Sequence, residues 1–125
     1  MSRDARQGAN RWGRRAEHLA MLALMLKGYR LVGRNIGGKG GEIDLLMRRG
    51  DVIAVVEVKA RVDHQTALAS ITPAKARLMA RSLRQWLTRN PWAMSFSLRG
   101  DIVLVRPWSW PRHLPDAIAL PVEDW

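Results

Sequence analysis

Two short apolar runs constrain this chain more than any other feature. Ile43 to Met47 and Val52 to Val58 flank Arg48-Arg49-Gly50-Asp51, and the pattern predicts a β-hairpin. Both runs carry charge where a plain strand would not: Glu42-Ile43-Asp44 opens the first, and Glu57-Val58-Lys59 closes the second. Alternate residues of a strand share a face, so Glu42 goes with Asp44 and Glu57 with Lys59. A two-residue loop at Arg49-Gly50, or a four-residue loop between Met47 and Val52, sets Glu42 opposite Glu57 and Asp44 opposite Val55. The four charged residues then share one face, with Asp44 and Glu57 as diagonal neighbours. Ile43, Leu45, Met47, Val52, Ala54, Val56 and Val58 form the other, wholly apolar face. A three-residue loop would break the arrangement, because a slip of one flips every side chain.

Helical periodicity brackets the hairpin. Ala16, Leu19, Ala20, Ala23 and Leu26 recur at helix spacing from about Arg11 to Lys27, and Gly28 follows as a stop. Thr72-Pro73 starts a second helix, whose stripe of Ala76, Met79, Ala80, Leu83 and Leu87 ends before Asn90-Pro91. Tyr29 to Asn35, Phe96 to Leu98 and Ile102 to Val105 read as strand pieces, and Val62 to Ile71 as a loop. Pro107 to Trp125, rich in Pro and Trp, gives no assignment, although Trp108 and Trp110 could share one face of a terminal strand. The expected fold class is α/β: a mixed sheet of about four strands flanked by helices. At 125 residues, one domain over 11–125 follows a basic flexible arm at 1–10.

Composition limits the chemistry. With no cysteine, a disulfide framework, a Cys-ligated zinc site and a thiol nucleophile are excluded. His18, His64 and His113 are scattered without metal-ligand spacing. Gly33 to Gly40 matches a phosphate loop up to Lys39, but Gly40 replaces the hydroxyl residue and a strand follows, so a nucleotide triphosphatase is rejected. The eight-residue apolar run Leu19 to Leu26 falls short of the ~20 needed to span a bilayer, and Lys27-Gly28-Tyr29-Arg30 is no cleavage site. A cytoplasmic protein without membrane contact is expected. The net charge of +10 favours a polyanionic partner, nucleic acid first. Arg77, Arg81 and Arg84 lie opposite the second helix's apolar stripe, as a solvated face or a phosphate-tracking one. Carboxylates converging on one face call for a cation, and oxygen donors suit Mg²⁺ or Mn²⁺.

The combination Gly41-Glu42-Ile43-Asp44-Leu45 with Val56-Glu57-Val58-Lys59-Ala60-Arg61 resembles the PD-(D/E)XK, or restriction-endonuclease-like, nuclease core, with spacing similar to archaeal Holliday-junction resolvases. More specifically, the chain resembles the YraN family of bacterial proteins, from Gly13 and Glu17 through Gly28-Tyr29, Arg34-Asn35 and Thr72-x-x-Lys75 to Asp101-Ile102-Val103. The resemblance implies Asp44, Glu57 and Lys59 as the catalytic set. Asp44, Glu57, the Val58 carbonyl and Glu17 would be metal ligands, with Glu42, Arg61, Lys75 and Asp101 in support. On charge and placement, and not on the resemblance, Arg34, Lys39, Arg77, Arg81 and Arg84 would meet nucleic acid. The resemblance implies a metal-dependent nuclease acting on DNA, and a homodimer by analogy with resolvases; the small size and basic charge make recognition of DNA structure the expectation. The alternatives are a non-catalytic nucleic-acid-binding module of the same fold, and an adaptor for an acidic protein. Three departures stand out: the motif's Pro is absent, Gly100 replaces an expected aromatic residue, and Asp63 to Ser70 lacks a glycine.

Overall fold

The structure, a computed structural model, describes residues 3–38 and 42–121, with side chains from residue 13 onward. Helix α1 (Arg3–Leu26) leads into β1 (Arg30–Ile36), β2 (Ile43–Arg49) and β3 (Val52–Ala60). Helices α2 (His64–Ser70) and α3 (Pro73–Arg89) follow, then a 3₁₀ turn (Pro91–Ser95), β4 (Ser97–Val105) and β5 (Arg112–Ile118). The strands form one sheet in the order β1-β2-β3-β4-β5. Only β3 and β4 are parallel, because the connection between them is the α2–α3 crossover. This is the helix-flanked mixed α/β sheet expected, with one strand more.

The sheet is buried on both faces by the flanking helices. Helix α1 sets Ala16, Ala20 and Leu24 against Leu45, Met47, Ala54, Val56, Val103 and Val105. Helix α3 sets Ala76, Met79, Leu83 and Leu87 against Leu46, Ile53, Val55, Ile102 and Leu104. Asp44, Glu57 and Lys59 therefore sit together at one end of an otherwise apolar sheet.

Several expectations need correction. Segment 3–10, read as an arm, is the first part of α1. Segment 64–70 is helical because the Asp63 side chain accepts the Thr66 N–H at 2.7 Å and caps it. Trp108 and Trp110 stand exposed in the turn before β5, not on a strand. The hairpin closes on Gly50-Asp51, not Arg49-Gly50, with Arg49 paired to Val52. Gly50 takes φ +60° at the first central position, where two-residue hairpins favour glycine. This moves the register by two, so from Leu45 to Val56 the facing sets of side chains survive while each partner changes. Among the described residues, no helix is long and apolar enough to cross a membrane.

Candidate active site at the opening of the β2–β3 ladder

The paired register of β2 and β3 runs from Arg49↔Val52 to Leu45↔Val56. One step further sets Asp44 beside Glu57, directly across and not diagonally. Here the side chain replaces the main chain: Asp44 Oδ2 accepts the Val58 N–H at 2.8 Å. Ile43 packs with the α3-side cluster and not with Leu45 and Met47, so the face alternation expected at this end of β2 is broken.

Glu57 is only 5% exposed. Its Oε1 pairs with Lys59 Nζ at 3.4 Å and Lys75 Nζ at 3.3 Å. Its Oε2 is buried and, among the described residues, has no hydrogen-bond partner. Lys59 follows two residues along β3. Lys75 arrives from α3, whose first turn is fixed by Thr72 accepting the Lys75 N–H at 3.1 Å and by Pro73 at the first helical position. The Thr72-Pro73 start visible in the sequence therefore places a second ammonium at the site.

Burial, and then the charge of Glu57, push the Asp44 carboxyl up to about 7. The Val58 N–H and the charge of Lys75 pull it down, while the charge of Glu17 pushes it further up. Glu17, on α1, is thus electrostatically part of the same site. Asp44 and Glu57 are thus two neighbouring, largely desolvated carboxylates with two ammoniums on Glu57, and the charge of Glu17 adds to the negative potential at Asp44. All the side-chain donors are oxygen. Among the described residues, no three His, Asp or Glu side chains are grouped as a ready ligand set.

Two acidic residues assigned to the site stand elsewhere. Glu42 precedes β2 and does not share a face with Asp44: its Oε2 accepts the Gly38 N–H at 3.0 Å and the Ser82 hydroxyl at 2.9 Å. The Ser82 bond foremost holds the Glu42 carboxyl below its usual range, against burial. Glu42 thus ties the glycine-rich loop to α3, a role Ser82's place beside the apolar stripe only weakly signals.

Asp101, fully buried on β4, belongs to a separate network on the α1 face. It receives Arg99 through two bonds, at 2.8 Å and 2.7 Å, and also His113 Nε2 at 2.7 Å and the Asp116 N–H at 3.0 Å. Arg99 also donates to the Tyr29 hydroxyl at 2.6 Å. Burial pushes the Asp101 carboxyl up, but these donors outweigh it and hold it below its usual range. Bonding to Asp101 raises Arg99 above its usual value. No sequence spacing announces this network, since His113 lies in the unassigned tail.

The remaining candidates lie around the sheet. Arg61 ends β3 in the left-handed region (φ 62°), its N–H donating to the Val105 carbonyl at 2.9 Å. Arg34, exposed on β1, lies 3.3 Å from His18 Nε2. Arg77, Arg81 and Arg84 are exposed along α3. Lys39 lies outside the described residues.

Fold and site together define a small α/β protein with a carboxylate–lysine cluster where two central strands part. The profile of uncharacterised protein family UPF0102 matches residues 16–105. The chain is 53% identical over 108 residues to a UPF0102 protein of Methylobacterium nodulans, covering 86% of this chain and 84% of that one. It is 50% identical over 117 residues to a UPF0102 protein of Methylocella silvestris, covering 94% of each. It is 49% identical over 105 residues to UPF0102 protein R00337 of Rhizobium meliloti, covering 84% of this chain and 86% of that one. The chain belongs to the UPF0102 family, the family reached from its sequence under the name YraN.

Proposed function

We propose that this protein is a metal-dependent nuclease that hydrolyses phosphodiester bonds of DNA. The observation that carries the reading is Glu57: a buried carboxylate with one oxygen shared by two lysines and the other without a partner among the described residues, beside an Asp44 carboxyl pushed up by burial and by that same charge. Burying carboxylates together is unfavourable unless a cation joins them. Mg²⁺ or Mn²⁺ suits the donors available: Asp44, Glu57, the Val58 carbonyl and Glu17 from α1. Such an ion supplies water activation and charge stabilisation at a phosphoryl group.

The chain's own residues do the rest. The Val58 N–H fixes the Asp44 carboxylate at the strand opening. Lys59 and Lys75, held on Glu57 Oε1, present two ammoniums that can turn to a phosphate oxygen as charge develops there. Arg34, Lys39, Arg77, Arg81 and Arg84 add attraction for the backbone. Most of these contacts concern phosphate and not base edges, which favours recognition of DNA structure over sequence.

One observation favours a second reading, a nucleic-acid-binding module without catalysis: both lysines already neutralise Glu57, and no ready ligand set is grouped among the described residues. Incubation with branched, flapped, single- and double-stranded DNA, with Mg²⁺, Mn²⁺ or chelator, separates the two. Metal-dependent cleavage that vanishes in Asp44→Asn supports the nuclease. Salt-dependent binding with no cleavage of any substrate makes the module the correct reading.

A further inference from the structure

The opposite end of the hairpin carries a cluster that the candidate active site does not use. Arg30 on β1 and Arg48 on β2 are direct cross-strand partners. Arg49 follows, and the three line a cleft of about 290 Å³ with Gly28 and Gly50. Like charges set directly opposite each other destabilise a sheet. Among the described residues, none of the three has a carboxylate within 4.0 Å.

Two of the guanidiniums are nevertheless held in place. Arg48 lies over the Phe96 ring at 4.6 Å and the Trp92 ring at 5.7 Å, and those rings pack edge to face. Arg49 lies over the Tyr29 ring at 4.5 Å and donates to the Lys27 carbonyl at 3.2 Å. Aromatic faces and a carbonyl orient these cations without neutralising them, so their charge stays available to an incoming anion.

The geometry points to a phosphate-binding site at Arg30, Arg48 and Arg49 that holds a nucleic-acid backbone away from the point of cleavage. Asp44 and Arg48 lie on the same strand, four residues and about 13 Å apart. Leu45, Leu46 and Met47 between them are fully buried, so the arginines form a contact surface separate from the candidate active site. The inference rests on the nucleic-acid reading above but not on catalysis.

Arg30 is the clean probe, because it is exposed and, among the described residues, no aromatic ring lies under its guanidinium. Binding of a fluorescein-labelled 20-base-pair duplex is measured by anisotropy at several salt concentrations, with chelator present. Arg30→Gln should lower affinity and reduce the slope of log affinity against log salt by about 1. Arg30→Glu should reduce both further. Both variants should melt above the wild type, since each removes the repulsion with Arg48. Weaker binding from a more stable protein separates ligand contact from a structural role.

Unchanged affinity and slope in both variants would overturn the site, even if wild-type protein cleaves DNA with Mg²⁺ and the nuclease reading stands. Loss of binding in both variants, with no cleavage by wild type, would support the site and refute the nuclease. A wild type with no salt-dependent binding to the duplex would overturn the site outright. Equal capture of poly-glutamate, equally weakened by Arg30→Gln, would show a general anion patch and overturn the assignment to nucleic acid.

Discussion

Replacing Asp44 with Asn should make the metal-free protein more stable, and only above acidic pH. Asn keeps an oxygen for the Val58 N–H at the place where Asp44 Oδ2 accepts it and removes the charge that burial and Glu57 disfavour. The Asp44 carboxyl moves from 3.8 to about 7 on folding. A raised acid favours the folded state fully below its unfolded value, and that contribution is lost as pH climbs through the folded one. The window is therefore about pH 4 to 7. Three pH units correspond to about 4 kcal/mol at most, and sharing of the titration with Glu57 and residual solvent screening bring this to about 2–4 kcal/mol. Urea unfolding at pH 4, 5, 6, 7 and 8 in EDTA gives the comparison. Wild type should lose stability relative to Asp44→Asn across that interval, and the two curves should meet near pH 4. Parallel curves would refute the reasoning: the Asp44 carboxylate would then be fully solvated or fully paired, and the site would have no deficit for a cation to fill.

Other outcomes follow from the packing. Gly100→Ala should destabilise by about 2–4 kcal/mol, because a Cβ there would sit 2.6 Å from the Ile118 carbonyl oxygen and 2.7 Å from the Ile118 Cβ; thermal unfolding checks it. Asp101→Asn should cost about 3–5 kcal/mol by stranding Arg99 and His113, yet leave any cleavage by the remaining folded protein intact, as read in parallel by calorimetry and a nuclease assay. The triple variant Arg77→Ala, Arg81→Ala, Arg84→Ala should flatten the salt dependence of DNA binding, and an unchanged slope would make that face of α3 merely solvated.

The hairpin was legible because its side-chain period survives the change of turn. Moving the loop from Arg49-Gly50 to Gly50-Asp51 shifts the pairing by two, so Asp44 and Glu57 remain neighbours and come closer. Glu42 was misplaced because alternation was extended past the true start of β2, where Gly38 and Ser82 capture its carboxylate. Lys75 could be placed by the Thr72-Pro73 helix start, but its reach to Glu57 depends on the crossover that lays α3 over the sheet. Asp63 signalled α2 as a cap, yet a seven-residue helix is too short for periodicity to declare. The last strand escaped because Pro115 lies within it, a residue tolerated there because β5 is an edge. Gly100 looked like a loss of the family's aromatic residue; the close passage of β5 leaves no room for a side chain there.

Under the proposed function, Asp44, Glu57 and Lys59 form a hydrolytic centre and not an ornamented strand end. The most direct measurement is a single-turnover cleavage time course on the preferred DNA substrate, with Mg²⁺ or Mn²⁺, for wild type, Asp44→Asn and Lys59→Ala, with DNA binding recorded on the same folded samples. Wild type should cleave in a metal-dependent way and Asp44→Asn not at all, while the variant's binding is equal or tighter because a negative charge near phosphate has gone. Lys59→Ala should be slower by about 10²–10³-fold. Cleavage by Asp44→Asn at the wild-type rate would contradict the claim and leave the protein a nucleic-acid-binding module.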